Sequence, residues 1–215
     1  MGTIHLIFSF LFALYGAVIL LTVSFRYSFL RGAMAFEMAR FGPLGIFFFG
    51  LLVMASSVRS DLFVIPLSQS VLGLLLGVLF LFHFDPQKLI DGKKWMGFTP
   101  RSMIFFAFLL VPSVSFLVDL FFGKGPTLLF FFSLILLTGS LAFQRRKGYR
   151  LPFRFCFFFS IFFMLGYALF FFSWTLFIID FIGGLSLLLS FFFAYKILSF
   201  FLAASFVAKK LENKS

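Results

Sequence analysis

The sequence predicts an all-α membrane protein, a polytopic bundle of about seven transmembrane helices with its N-terminus outside and its C-terminus cytoplasmic. Three observations lead there. The 215-residue chain is 62% hydrophobic and only 12% charged, whereas soluble domains carry about 25% charged residues. Seven apolar segments approach or exceed the ~20 residues that a helix needs to cross ~30 Å of hydrocarbon. The basic residues gather in alternate loops, which sets the threading.

The segments run over residues 3–25, 41–58, 62–84, 102–122, 126–143, 155–179 and 181–206. Together they form a single transmembrane domain. The first has no basic residue before it and no cleavage site after it, so it reads as a membrane helix and not as a signal peptide. Residues 26–42 are less apolar: Tyr27, Leu30, Met34 and Met38 recur at helical spacing among Arg26, Arg31, Glu37 and Arg40. This stretch reads either as an interfacial helix over 26–40 on the cytoplasmic face or as an early start of segment two. The breaks at residues 59–61, 123–126 and around Asp180 are expected to be tight turns.

With seven crossings, four cationic regions fall on one side. They are Arg26, Arg31 and Arg40; Lys88, Lys93, Lys94 and Arg101; Arg145, Arg146, Lys147, Arg150 and Arg154; and Lys209, Lys210 and Lys214. The other side holds Arg59 and Lys124, with Asp61, Asp119 and Asp180 at or near the helix ends. Lys and Arg collect on the cytoplasmic side of membrane proteins, which places the chain in a cell membrane, the inner one where there are two. The net charge of +11 is thus a matter of topology and of contact with anionic lipid, and does not point to nucleic acid. The expected partners are the bilayer and other membrane or cytoplasmic subunits.

Small residues mark the expected helix contacts, because close backbone approach drives association in lipid. Gly73 and Gly77 in segment three have GxxxG spacing, Ala13, Gly16 and Ala17 line segment one, and Gly183, Ser186 and Ser190 run down segment seven. Pro112 in segment four lacks a backbone donor and is expected to kink its helix, with Ser115 one turn on. FGPLGIFFFGLLV (41–53) and KGPTLLFFFSLIL (124–136) align without gaps. A true repeat there would relate oppositely oriented halves, as in many transporters; a chance match of Phe runs is the alternative.

Candidate chemistry is sparse. His5 and His83 are expected at opposite faces, so they cannot jointly hold a haem. With one cysteine, Cys156, and no histidine cluster, neither a disulfide nor a conventional metal site is expected. No carboxylate falls near a helix midpoint, and no phosphate loop, nucleophile elbow or dinucleotide fingerprint is present. No cofactor is implied, and nothing makes the chain an enzyme. His83 and Asp85 read as a helix end and an Asp-Pro turn.

Two polar features stand inside the apolar segments. One is Ser68, Gln69 and Ser70. The other is Lys196, which lies about 24 Å below Asp180 and about 20 Å from Lys209 at 1.5 Å per residue. Snorkelling to the interface beside Tyr195 is the favoured reading; a buried lysine that binds an anion or a carboxylate is the alternative. Segment three lacks the acidic counter-ion that a retinal protein needs. EMARFG (37–42) resembles, over Glu37, Ala39 and Gly42, the cytoplasmic loop by which ABC permeases dock onto an ATPase. The match is three residues long and identifies no family; it implies only that Glu37 and Arg40 are candidates for partner docking.

Two main function classes follow. The first is a transport or translocation component, with Lys196, Gln69, Ser68, Ser70, Pro112 and Ser115 as candidates for the substrate or ion pathway. The second is a non-catalytic anchor or scaffold subunit of a larger membrane complex, such as a respiratory assembly. A weaker third is a lipid-handling enzyme at the cytoplasmic face.

Overall fold

The computed structural model describes residues 3–30, 34–58, 125–145, 148–171 and 177–212, with Leu72, Leu75, Leu76 and Leu79 between them. Among the described residues the chain is all-helical. The helices are α1 (Thr3–Arg26), α2 (Met34–Val58), α3 (Gly125–Phe143), α4 (Arg150–Phe171) and α5 (Phe177–Glu212), and a short 3₁₀ turn spans Ser28–Leu30. Three stretches among the described residues are long and apolar enough to cross a membrane: Thr3–Arg26, Arg150–Phe170 and Phe177–Leu211. Shorter apolar stretches occupy Ala39–Ala55 of α2 and Ser133–Phe143 of α3. Segments 62–84 and 102–122 lie outside the described residues, apart from the four leucines. So do Ser68, Gln69, Ser70, Gly73, Gly77, Pro112 and Ser115.

The pattern of α1 shows why such a helix suits a bilayer. Its inner face buries Phe8, Phe12, Ile19 and Val23. Its outer face carries Ile7, Phe10, Leu14, Val18, Leu21 and Phe25, all exposed and all apolar. A helix apolar on both faces has no side to offer water, which is the mark of a membrane span.

Two antiparallel pairs build the bundle, and glycines bring their backbones together. In α1–α2, a methyl group on Gly16 would lie 2.5 Å from the Phe47 nitrogen and 2.7 Å from the Pro43 oxygen. Gly50 is pressed as closely against Ser9 and Ala13. In α4–α5, Gly166 faces Gly183 and Leu187, while Gly183 faces Leu169 and Phe170. The pairs meet where Phe8 packs on Phe181 and Phe12 on Phe191, so α1 and α5 run parallel. Phe49 of α2 also contacts Phe191. Leu72, Leu75, Leu76 and Leu79 are fully buried in the same core, at the i, i+3, i+4, i+7 spacing of one helix face. α3 and α4 form a hairpin in which Phe143 stacks on Phe153 and Gly148 takes a φ of 89°, a left-handed conformation that glycine adopts freely.

Some boundaries differ from those the sequence suggests. α2 is continuous from Met34 to Val58, so residues 34–40 belong to it, and Pro43 lies inside the helix. Gly125 and Pro126 instead open α3, the position where a missing N–H costs nothing. The two Gly-Pro pairs of the aligned stretches thus occupy different helix positions. Asp180 sits in the first turn of α5, where a carboxylate complements the helix dipole, and so belongs to the helix itself.

Replacement of Gly50 by alanine is expected to lower stability by about 1–3 kcal/mol, because the added methyl overlaps backbone of α1. Leu14→Ala on the outer face should change it by less than about 0.5 kcal/mol. Thermal unfolding in detergent checks both, and equal effects would refute the glycine contact.

Candidate functional site

The helix directions sort the described charges into two ends. α1 ends at Arg26, Arg40 lies in the second turn of α2, the α3–α4 hairpin carries Arg145, Arg150 and Arg154, and the last turn of α5 carries Lys209 and Lys210. All lie at one end of the bundle, because α2 and α4 run against α1 and α5. Aromatic rings flank two of these cations: the Arg26 guanidinium lies 5.8 Å from the Tyr27 ring centre, and that of Arg40 lies 5.7 Å from Phe36. Arg40 is exposed at this end, and Glu37 lies one turn before it on α2.

The opposite end holds a polar cluster that spans three helices. The His5 ring nitrogen Nε2 lies 3.0 Å from the carbonyl oxygen of Phe170, and its Nδ1 lies 3.9 Å from Asp180 Oδ2. The Phe170 ring covers the imidazole at a centroid distance of 4.4 Å. Both polar side chains are mostly buried, with 12% and 17% of their surface exposed. Ser9, one turn below, donates to the His5 carbonyl at 2.6 Å. The cluster therefore joins the start of α1, the end of α4 and the start of α5. Sequence reading placed His5 and Asp180 at the same face but did not pair them; they are 175 positions apart, and only the parallel packing of α1 on α5 brings them together.

Lys196 occupies the flank of α5. Its ammonium lies 5.1 Å from the centre of the Phe192 ring, one turn toward the helix N-terminus, as helical side chains lean. The head group thus points away from Lys209 and Lys210, not toward the basic interface. Phe192 is 43% exposed, so the pair lies toward the outside of the bundle. On α1, the Tyr15 hydroxyl is buried and has no hydrogen-bond partner among the described residues.

The interior between the helix pairs is filled with rings. Phe12 contacts Phe8, Phe49, Phe170 and Phe191 at centroid distances of 5.4–6.1 Å. Ser160 and Ser190 are fully buried, and each hydroxyl bonds back to a carbonyl of its own helix, Cys156 at 2.8 Å and Leu187 at 2.7 Å. Gly183 and Ser186 are both buried, Gly183 in the contact with α4. Among the described residues no three His, Cys, Asp or Glu side chains gather into a metal-binding group.

These features define a class: a helical protein with helices fit to cross a membrane, a cationic end and a small polar cluster at the other end. No protein family, characterised protein or solved structure matches this chain.

His5→Phe should cost about 1 kcal/mol through loss of the bond to the Phe170 carbonyl. Hydrogen exchange should rise in the first two turns of α1 and stay unchanged at the α3–α4 hairpin. A uniform rise would mean global destabilisation instead.

Proposed function

We propose that this protein is a seven-crossing component of the cell (inner) membrane, with its cationic end in the cytoplasm, and that it serves as a non-catalytic anchor or scaffold subunit of a larger complex. The observation that carries this reading is the ring-filled interior. Phe8, Phe12, Phe49, Phe170 and Phe191 pack where α1, α2 and the α4–α5 pair meet. The buried hydroxyls of Ser160 and Ser190 are spent on carbonyls of their own helices. Such a core supports shape and attachment more readily than passage of a polar solute, since an unpaired polar group in hydrocarbon costs several kcal/mol. The broad apolar outer faces of α1 and α5 suit lipid or neighbouring membrane helices. The orientation is supported by the grouping of the described cations at one end, where anionic lipid and cytoplasmic subunits would meet Arg40 and the α3–α4 hairpin.

The second reading is a transport component. Lys196 supports it, because a mid-helix ammonium directed away from the nearest cationic end is a functional group by default. Gln69, Ser68 and Ser70 would line the same pathway.

Purification in mild detergent separates the two. Stoichiometric co-purifying proteins are expected for the subunit; an isolated chain with a bound small molecule or ion would replace that reading with the carrier. Orientation is checked in a Cys156→Ala background. Lys147→Cys should react with an impermeant thiol reagent only in inside-out vesicles, and Thr3→Cys only in intact cells. The reverse pattern, or labelling of both from one side, would overturn the topology.

A further inference from the structure

We infer that His5 and Asp180 form a binding site for a divalent transition-metal ion, of the zinc class, at the end of the bundle opposite the cationic one. The inference starts from the far nitrogen of the imidazole. Nε2 lies 3.0 Å from the Phe170 carbonyl oxygen. A carbonyl only accepts, so Nε2 carries the hydrogen and donates it. In the neutral form of the ring the lone pair is then on Nδ1. That atom is buried and has no hydrogen-bond partner among the described residues. What it faces is Asp180 Oδ2, itself an acceptor, at 3.9 Å.

Two acceptors turned toward one another call for a cation. The separation of 3.9 Å is too long for a direct N–H···O bond, which spans ~2.7–3.2 Å. It is shorter than the sum of about 4.2 Å for a zinc–nitrogen and a zinc–oxygen bond, so one ion reaches both atoms. A regular tetrahedral angle would need the pair to close by about 0.5 Å from this separation. The carbonyl on the far ring nitrogen is the outer support that metal-bound histidines use to fix tautomer and ring plane. The Phe170 ring, 4.4 Å away, holds the imidazole from one side.

The donor set selects the class of ion. Imidazole with a single carboxylate suits zinc, nickel or cobalt, whereas magnesium and calcium prefer oxygen-only sites. Both side chains keep some exposure, 12% and 17%, so water can complete the coordination sphere. An ion held here ties the first turn of α1 to the α4–α5 corner, and binding to the folded state alone raises stability by mass action.

The test uses the full chain in detergent, purified without a polyhistidine tag and stripped by chelator. ZnCl2 is expected to bind at one ion per chain and to raise the unfolding temperature, while MgCl2 leaves it unchanged. His5→Gln and Asp180→Asn should each weaken zinc binding by about tenfold or more. In the unaltered protein, CoCl2 should give the visible spectrum of nitrogen and oxygen ligands, and zinc should protect His5 from diethyl pyrocarbonate; both readouts are independent of whether a variant folds. No stoichiometric zinc up to millimolar concentration, or equal zinc binding in the unaltered protein and both variants, would overturn the site and leave a histidine–aspartate pair with no ligand.

Discussion

Backbone contact at glycine is the constraint on which the rest of this structure depends. Lipid is as apolar as leucine, so burying more hydrocarbon gives helices no reason to associate. What distinguishes one neighbour from another is how closely two backbones can approach. At Gly16 the α2 backbone, and at Gly50 the α1 backbone, lies where a side chain would otherwise stand, and at Gly166 and Gly183 the same holds between α4 and α5. Those approaches fix the two pairs. The phenylalanines then have little freedom, and Phe12 meets four other rings because the pairs are already set. The large aromatic content works as filler shaped by a small-residue frame.

The same frame produces the chemistry at the ends. Antiparallel α1–α2 and α4–α5 pairs, joined with α1 parallel to α5, bring Arg26, Arg40, Arg150, Arg154, Lys209 and Lys210 to one end. His5 and Asp180 are left at the other. No local sequence signal joins His5 to Asp180. Their meeting is a consequence of helix direction alone, as is the access of His5 to a carbonyl at the last turn of α4.

The helical class and its membrane character were legible in composition and in unbroken apolar runs. The ends of α1 and α3 fell within a residue of the segments read from the sequence, since both are bounded by abrupt changes in polarity or by Gly-Pro. The start of α2 was less legible. Residues 34–40 mix charges with apolar positions, and hydropathy cannot say whether such a stretch continues a helix or begins another. Segment two was read from residue 41, two positions before Pro43, yet α2 starts at Met34 and Pro43 lies well inside it, packed against Gly16. Asp180 suggested a turn, yet it serves as the acidic first turn of α5. The polar cluster was out of reach of sequence because its parts are far apart along the chain. The geometry of Lys196 was also hidden: spacing gives its depth, but the lean of helical side chains decides which way the ammonium points.

The length of α5 has a mechanical consequence. From Asp180 to Lys209 is 29 residues, about 44 Å of helix, which equals the ~40–45 Å of a bilayer with its headgroups. A helix of that reach stands nearly upright when both charged ends touch water. In a thinner leaflet pair it would have to lean, and the tight seam at Gly166 and Gly183 would carry α4 with it.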